Sequence, residues 1–462
     1  IAADCIMAGY PKGSSHPFDL INPFAGVGHG LTIVDSFEWL SRITGQRRYE
    51  DYAVWLYEEY SAYSQSEEDL QIKNIENPFY LFHGHAVHTF EHIRALIIAA
   101  YSRPEYMPLL ERLLAKLPYY LTPSGAPIGD EWIFGRTADA TWTGYEFCTL
   151  QELLHTYCLL AKKSGNLLWC EALEWLYFNG AEGMKHPTDS AIMYLKTDNC
   201  YSADEYPHPD KDEWNPRYKY SPTHQDAAVC CVPNSGRITP YFIESMLFDW
   251  TDGFKAGGYG PYVFHGQWHG VLVVITQESS YPLELSARFH IKAQAPVRFA
   301  MHFRHPSWAK RMIVNGRIYD NACGQCGEIV LEQVWEDCWV DISFECDIQF
   351  RTDFRQQTFV TRGPLVYCLE IPASERIIKE MLVPGFYEKG YSAVSREIET
   401  LKIPGAQQAH ITWEPIMEVS QLQNAVDPWG ALKISGVFWD GENNRTLEMR
   451  PMARTILRKV TF

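Results

Sequence analysis

The stretch TPYFIESMLFDWTDGFKAGGYGPYVFHGQWHGVLVVITQES, residues 239–279, changes its hydrophobic period part-way along. Its start, TPYFIESMLFDW (239–250), spaces apolar side chains as one face of a helix does. From about residue 255, apolar and polar side chains alternate between turn residues, as in VLVVITQES (271–279), and read as strands. Two architectures therefore meet near residue 255.

Working back from that junction, the chain reads as helices joined by Pro/Gly loops. LTIVDSFEWLSRITG (31–45) stops at Gly45, and RYEDYAVWLYEEYSAY (48–63) follows it. Further helices are predicted over 84–101, 105–121, 149–165 and 167–180, seven in all with 239–250. Similar lengths in pairs suggest an α/α toroid or bundle. Working forward, LELSARFHIKA (283–293), VRFAMHFRH (297–305), RMIVNGRIY (311–319) and CWVDISFECDIQFRT (338–352) read as antiparallel β-sandwich. A break near 352–362 leads to QTFVTRGPLVYCLEI (357–371) and a tail of short strands. The expected class is multidomain α + β. A helical toroid over 1–254 precedes a β-sandwich over 255–355 and a second sandwich or mixed region over 356–462.

A chain of 462 residues suits two to four domains. Its net charge of −17, with no basic stripe, argues against nucleic acid and anionic lipid as partners. No apolar run approaches the ~18 residues needed to span a bilayer. Trp and Tyr are abundant, 15 and 27, which suits a core and also the flat C–H faces of sugars. The chain starts at Ile1, so a processed or truncated N-terminus is expected, and no signal peptide is visible. Twelve cysteines without regular spacing argue against a disulfide framework and for reduced thiols, which favour a cytoplasmic setting.

Two of those cysteines are adjacent, in DAAVCCVPNSGR (226–237). Neighbouring Cα atoms are only ~3.8 Å apart, whereas a relaxed disulfide needs about 4.4–6.8 Å. Bonding Cys230 to Cys231 would be strained. Upstream, GYEFCTLQELL (144–154) places Glu146 and Cys148 just before a helix predicted to start at a Thr149/Glu152 capping box. Thr239–Pro240 predicts a second helix start after the vicinal pair. Three thiols and one carboxylate in two loops before helix starts make a zinc set. The same residues also read as buried, inert cysteines, or as a closed structural zinc site.

Three other stretches carry chemistry. HGHAVHTFEH (83–92) contains His88-Thr-Phe-Glu91-His92, an H-x-x-E-H pattern found on zinc-protease helices. SGAPIGDEWIFGR (124–136) sets Asp130 and Glu131 beside Trp132 and Phe134, whose apolar walls would make a carboxyl a usable general acid. CGQC (323–326) lies in the β region without a βαβ unit and reads as a loop.

Together these stretches resemble the β-L-arabinofuranosidase family of zinc–cysteine glycoside hydrolases. GHGLTIVDSFEWLSRITGQRRY, GHAVH, GDEWIFG, YEFC, LEWLYFNG and CCVPNSGR look like its successive motifs, and FRHPSWA, VNG and GPLVYCLE resemble its β-region motifs. The resemblance implies an (α/α)6 barrel followed by β-sandwiches. It implies Zn²⁺ held by Glu146, Cys148, Cys230 and Cys231, with Cys230 as nucleophile and Glu131 as acid/base. His29 and His85 match sugar-contacting positions, and Asp130 and Tyr194 join that substrate-binding set. It implies a retaining exo-glycosidase releasing β-linked L-arabinofuranose or a related sugar from an oligosaccharide or glycoconjugate, and a homo-oligomer is compatible with it. Departures are His88 where the family has Arg, Val232 in the Cys-Cys motif, and Asp130 before Glu131, which keeps Asp130 a rival acid. Seven helices also fall short of the twelve in such a barrel, so either the N-terminal part is absent or another architecture completes it. Two other readings compete: a zinc metallopeptidase using His88, Glu91 and His92, and a non-catalytic carbohydrate-binding protein with structural zinc.

Overall fold

The computed structural model describes residues 1–19, 29–205, 216–222, 230–403, 414–416 and 428–462. Gly28 and residues 226–229, part of two quoted motifs, lie outside that set. Among the described residues, nine α-helices precede the large sheet: α1 (Ala2–Gly9), α2 (Ile33–Thr44), α3 (Arg47–Ala62), α4 (Ile72–Glu76), α5 (Ala86–Ser102), α6 (Met107–Lys116), α7 (Phe147–Ser164), α8 (Leu168–Leu176) and α9 (Cys231–Met246). The predicted stop at Gly45 holds, because Gly45 takes φ +67 and caps α2 in the left-handed region. Gly165 ends α7 in the same way, and a Cβ there would meet the Trp250 ring at 2.2 Å.

α5 and α7 are buried along most of their length, and they bury polar side chains such as Glu91, Arg94 and Glu152 as well as apolar ones. α7 packs against α5 on one side and α9 on the other. These three adjacent helices hold the candidate site at their N-terminal ends.

The predicted change to strands occurs, but earlier than the sequence pattern indicates. Leu247–Trp250, read as the end of a helix, pairs with Gly253–Ala256 as a hairpin. That hairpin enters an eight-stranded sheet dominated by two long antiparallel strands, Ser286–His305 and Gly327–Glu345, with an irregularity between Trp335 and Asp337. Gly253–Ala256 pairs parallel to Ser286–His305. Gly253 lies so close to Ala300 that a Cβ would fall 1.9 Å from the Ala300 carbonyl oxygen, so only glycine fits. A seven-stranded sheet takes in strands between Ile348 and Lys459. A four-stranded sheet joins Ala373–Glu380 and Tyr387–Ala393 to two short strands from the helical region, Tyr220–Ser221 and Ile192–Met193.

Polar side chains tie the helices to the sheets. Arg304 on the long strand is fully buried and pairs with Glu174 of α8 at 2.5 Å; Tyr281 donates to the other Glu174 oxygen at 2.6 Å. Removing one partner strands a charge in the interior. Glu174→Ala should therefore lower unfolding free energy by about 3–5 kcal/mol, read from chemical denaturation, whereas loss below ~1 kcal/mol would mean that water reaches Arg304. Arg458, from the C-terminal strand, donates to the Tyr145 hydroxyl at 3.0 Å and the Asp198 carbonyl at 3.0 Å. Tyr145 precedes Glu146, so the C-terminal region helps to fix the candidate site.

Candidate active site

Glu146, Cys148, Cys230 and Cys231 converge, with one ligand atom of each within 4.8 Å of the others. The Cys148 and Cys231 sulfurs are 3.1 Å apart, and Glu146 Oε1 lies 3.5 Å from both Cys230 and Cys231. Cys230 and Cys231 sulfurs are 4.0 Å apart. All twelve cysteines are free thiols.

The local backbone differs from the sequence reading in a way that explains the convergence. α7 begins at Phe147 with Glu146 as its N-cap, so Cys148 is already helical. Glu146 sits in extended conformation, φ −95 and ψ 142. An extended residue followed by a helix can send both side chains to one point, which two residues at i and i+2 within a helix cannot. α9 likewise starts at Cys231 with Cys230 as N-cap, and Thr239–Pro240 lies inside it. His85 is the N-cap of α5. The positive ends of three helix dipoles thus face one cluster, which favours anionic groups there.

Burial and hydrogen bonding divide the charge unevenly among these groups. Hydrogen bonds from Cys148 and Cys231 draw the Cys230 thiol far below its ordinary value. Burial pushes the Cys231 thiol up, and the hydrogen bond to Cys230 pushes Cys148 up. Burial, followed by the neighbouring Cys230 charge, raises the Glu146 carboxyl to about 7. Glu146 Oε2 is buried without a hydrogen-bond partner. An unsatisfied carboxylate oxygen beside three sulfurs matches a soft divalent cation's needs.

Beside this cluster, Tyr194 donates to Glu131 Oε1 at 3.0 Å, and its hydroxyl lies 3.5 Å from Cys230 Sγ. Tyr194 arrives through a two-stranded pairing of Tyr145–Glu146 with Leu195–Lys196. Arg217 forms an ion pair with Glu131 and stacks over the Tyr194 ring at 4.8 Å. Glu131 itself holds φ +79, a strained conformation for a residue with a side chain. Its carbonyl accepts from the Ala86 amide at 2.7 Å, which docks the loop onto the start of α5. Asp130 is engaged elsewhere, by Arg136 and by Tyr218 at 3.4 Å.

His85 Nε2 lies 3.9 Å from Glu146 Oε2, and burial lowers its imidazole to about 4, so it is neutral near pH 7. His29 accompanies Glu91 at 3.0 Å. Glu146, Cys148 and Cys230 of the cluster, both histidines and Tyr194 line one cavity of about 620 Å³. In the H-x-x-E-H pattern, His88 and Glu91 converge with His29, and His92 is not among the converging groups.

Residues 259–345 match the family model for the middle domain of GH127 β-L-arabinofuranosidases. The family match is confined to that segment of the β region. In fold the chain is similar to a GH127 β-L-arabinofuranosidase from Geobacillus stearothermophilus T6, with TM-score 0.68 and 16% identity over 93% of this chain and 70% of that one. It is similar to the GH127 β-arabinofuranosidase BT3674, with TM-score 0.69 and 16% identity over 98% and 69%. A third structure, described as a glycoside hydrolase, gives 0.68 and 15% over 95% and 75%. No curated protein matches the chain in sequence.

Sequence reasoning missed three site residues. Asn234 donates to Cys148 Sγ at 3.0 Å. Its signal was its position three residues after Cys231, on the same helix face. Arg217 on Glu131 had no signal, nor had Glu67, which hydrogen-bonds His88.

Proposed function

We propose that the protein is a glycoside hydrolase, a retaining exo-enzyme releasing β-linked L-arabinofuranose or a closely related sugar, with Cys230 as nucleophile and Glu131 as acid/base. The observation that carries the reading is one tyrosine: the Tyr194 hydroxyl contacts both Cys230 and Glu131, so nucleophile and acid face the same small space. The Cys230 thiolate attacks the anomeric carbon as the bond to the leaving oxygen breaks, and Glu131 gives that oxygen a proton. Glu131 then takes a proton from water, which displaces the sulfur and restores the thiolate. Two displacements return the original anomeric configuration. Neutral His85, exposed His29 and Tyr194 offer hydrogen bonds to sugar hydroxyls.

Glu146, Cys148, Cys230 and Cys231 suit zinc, whose ligands include Cys sulfur and carboxylate oxygen. Bound there, zinc would supply the positive charge that keeps the thiols deprotonated. We assign the catalytic role to a helical unit over 1–254, with β units over 255–355 and 356–462.

The test is elemental analysis of the wild-type chain and Cys148→Ser, together with product configuration by NMR on aryl β-L-arabinofuranosides. Retained configuration, and a thiolate-bound zinc lost with Cys148, are expected. Inverted product would overturn the covalent mechanism, and zinc unaffected by the substitution would overturn the ligand set.

A further inference from the structure

The cavity that holds the thiol cluster contains a second convergence of metal-ligating groups. His29, His88 and Glu91 bring ligand atoms within 4.8 Å of one another. His88 and Glu91 stand on α5, three residues apart and hence on one face. His29 comes from the short 3₁₀ turn His29–Thr32 and meets Glu91 through Nδ1, at 3.0 and 3.1 Å from its two oxygens. The His29 and His88 rings are 4.5 Å apart and nearly perpendicular.

Two features separate this group from an ordinary histidine–carboxylate contact. First, Glu67 hydrogen-bonds His88 Nδ1, which leaves the Nε2 lone pair available. A carboxylate that fixes the far nitrogen of an imidazole is the usual orienting partner of a metal-bound histidine. Second, Glu91 is 3% exposed, and its nearby cation, Arg94, is taken by Asp35 and Glu152 at 2.8 Å each. Glu91 is therefore a buried carboxylate whose arginine is already paired and whose neighbours are imidazoles, with His92 Nε2 at 3.8 Å as well as His29.

We infer that His29, His88 and Glu91 form a second divalent metal site, distinct in ligand type from the thiol cluster and facing the same cavity. Two imidazoles and one carboxylate form a donor set that binds zinc and leaves a fourth position open. Imidazole donors favour zinc, cobalt or iron over magnesium and calcium. The ring of His85 lies 4.7 Å from that of His88 and stands between the two groups. An open position there would take an oxygen of the bound sugar or a water molecule. The site does not depend on the nucleophile assignment.

The test uses the full chain, stripped with chelator, reloaded with cobalt(II) and dialysed. Cobalt is counted by elemental analysis and read by absorption, since only the thiol cluster gives thiolate-to-cobalt charge transfer. Wild type should hold two ions per chain. Glu91→Gln and His88→Ala should each hold one and keep the charge-transfer band. Cys148→Ser should weaken that band and keep the other ion. One ion in wild type, with its number and spectrum unchanged in Glu91→Gln and His88→Ala, would overturn the site and leave a plain His29–Glu91 hydrogen bond. Loss of ion in Glu91→Gln with no charge-transfer band in any variant would support this site while removing the thiolate reading. Circular dichroism confirms that each variant is folded, and the wild-type count decides the matter should either variant fail to fold.

Discussion

Cys230→Ala should lower kcat on an aryl β-L-arabinofuranoside by on the order of 10⁴-fold, equivalent to about 5.5 kcal/mol of transition-state stabilisation. The size of the effect follows from removing the atom that, on the proposed mechanism, would form the covalent bond. Cys148 and Cys231 are buried, at 2% and 0% exposure, whereas Cys230 is the more open of the three to the cavity. Truncation also leaves space where Sγ stood. Added azide should enter that space and restore turnover of a substrate with a good leaving group, giving a glycosyl azide of inverted configuration. A Cys230 that served only as a ligand would respond differently. Its loss would resemble that of Cys231→Ala, and azide would restore nothing. Activity within tenfold of wild type in Cys230→Ala would remove the nucleophile assignment.

How much of this was legible in the sequence depends on the range over which each feature is determined. The helix interiors were readable because their apolar spacing is local; α2, α3 and α5 fall where the pattern puts them. Helix starts were not. Thr149 and Glu152 form a capping-box pattern, yet Glu152 pairs with Arg94 at 2.8 Å and Thr149 Oγ1 is buried without a partner. A tertiary ion pair claimed the residue that the local motif needed. For α9, Thr239–Pro240 resembled a start, but the helix runs through it and begins at Cys231. Pro233 in the first turn was the better signal, since an N–H there goes unpaired in any case.

Both errors concern the candidate site, and they have one consequence. The four cluster residues are N-caps and first-turn residues, not loop residues, so the site is built on the ends of rigid elements. The identity of the cluster was legible because Glu-x-Cys and Cys-Cys are rare combinations. Its surroundings were not, because they depend on non-local pairing. Two-residue strands such as Tyr145–Glu146 and Leu195–Lys196 carry no period, yet they set Tyr194 beside Glu146. Ile192–Met193 and Tyr220–Ser221 join Tyr387–Ala393 in one sheet, a connection of distant segments that alternation along one strand cannot reveal.

Glu131→Gln should cost about 10²–10⁴-fold in kcat/KM on substrates with alkoxide leaving groups, and far less on substrates whose leaving group needs no proton. That dependence separates an acid/base from a residue that merely shapes the site. Glutamine keeps the volume and can still accept from Tyr194, so the tyrosine's 3.0 Å bond need not be lost. What disappears is the exchangeable proton. The Arg217 ion pair is also broken, so the double variant Glu131→Gln/Arg217→Met should show the same leaving-group dependence if proton transfer is the cause. Asp130→Asn is the matched control. Asp130 already spends its carboxylate on Arg136 and Tyr218, and its loss should act on stability and leave leaving-group sensitivity as in wild type. If Asp130→Asn shows the steep dependence and Glu131→Gln does not, the acid/base role belongs to Asp130, and the Tyr194 bridge to Glu131 serves only to position the loop.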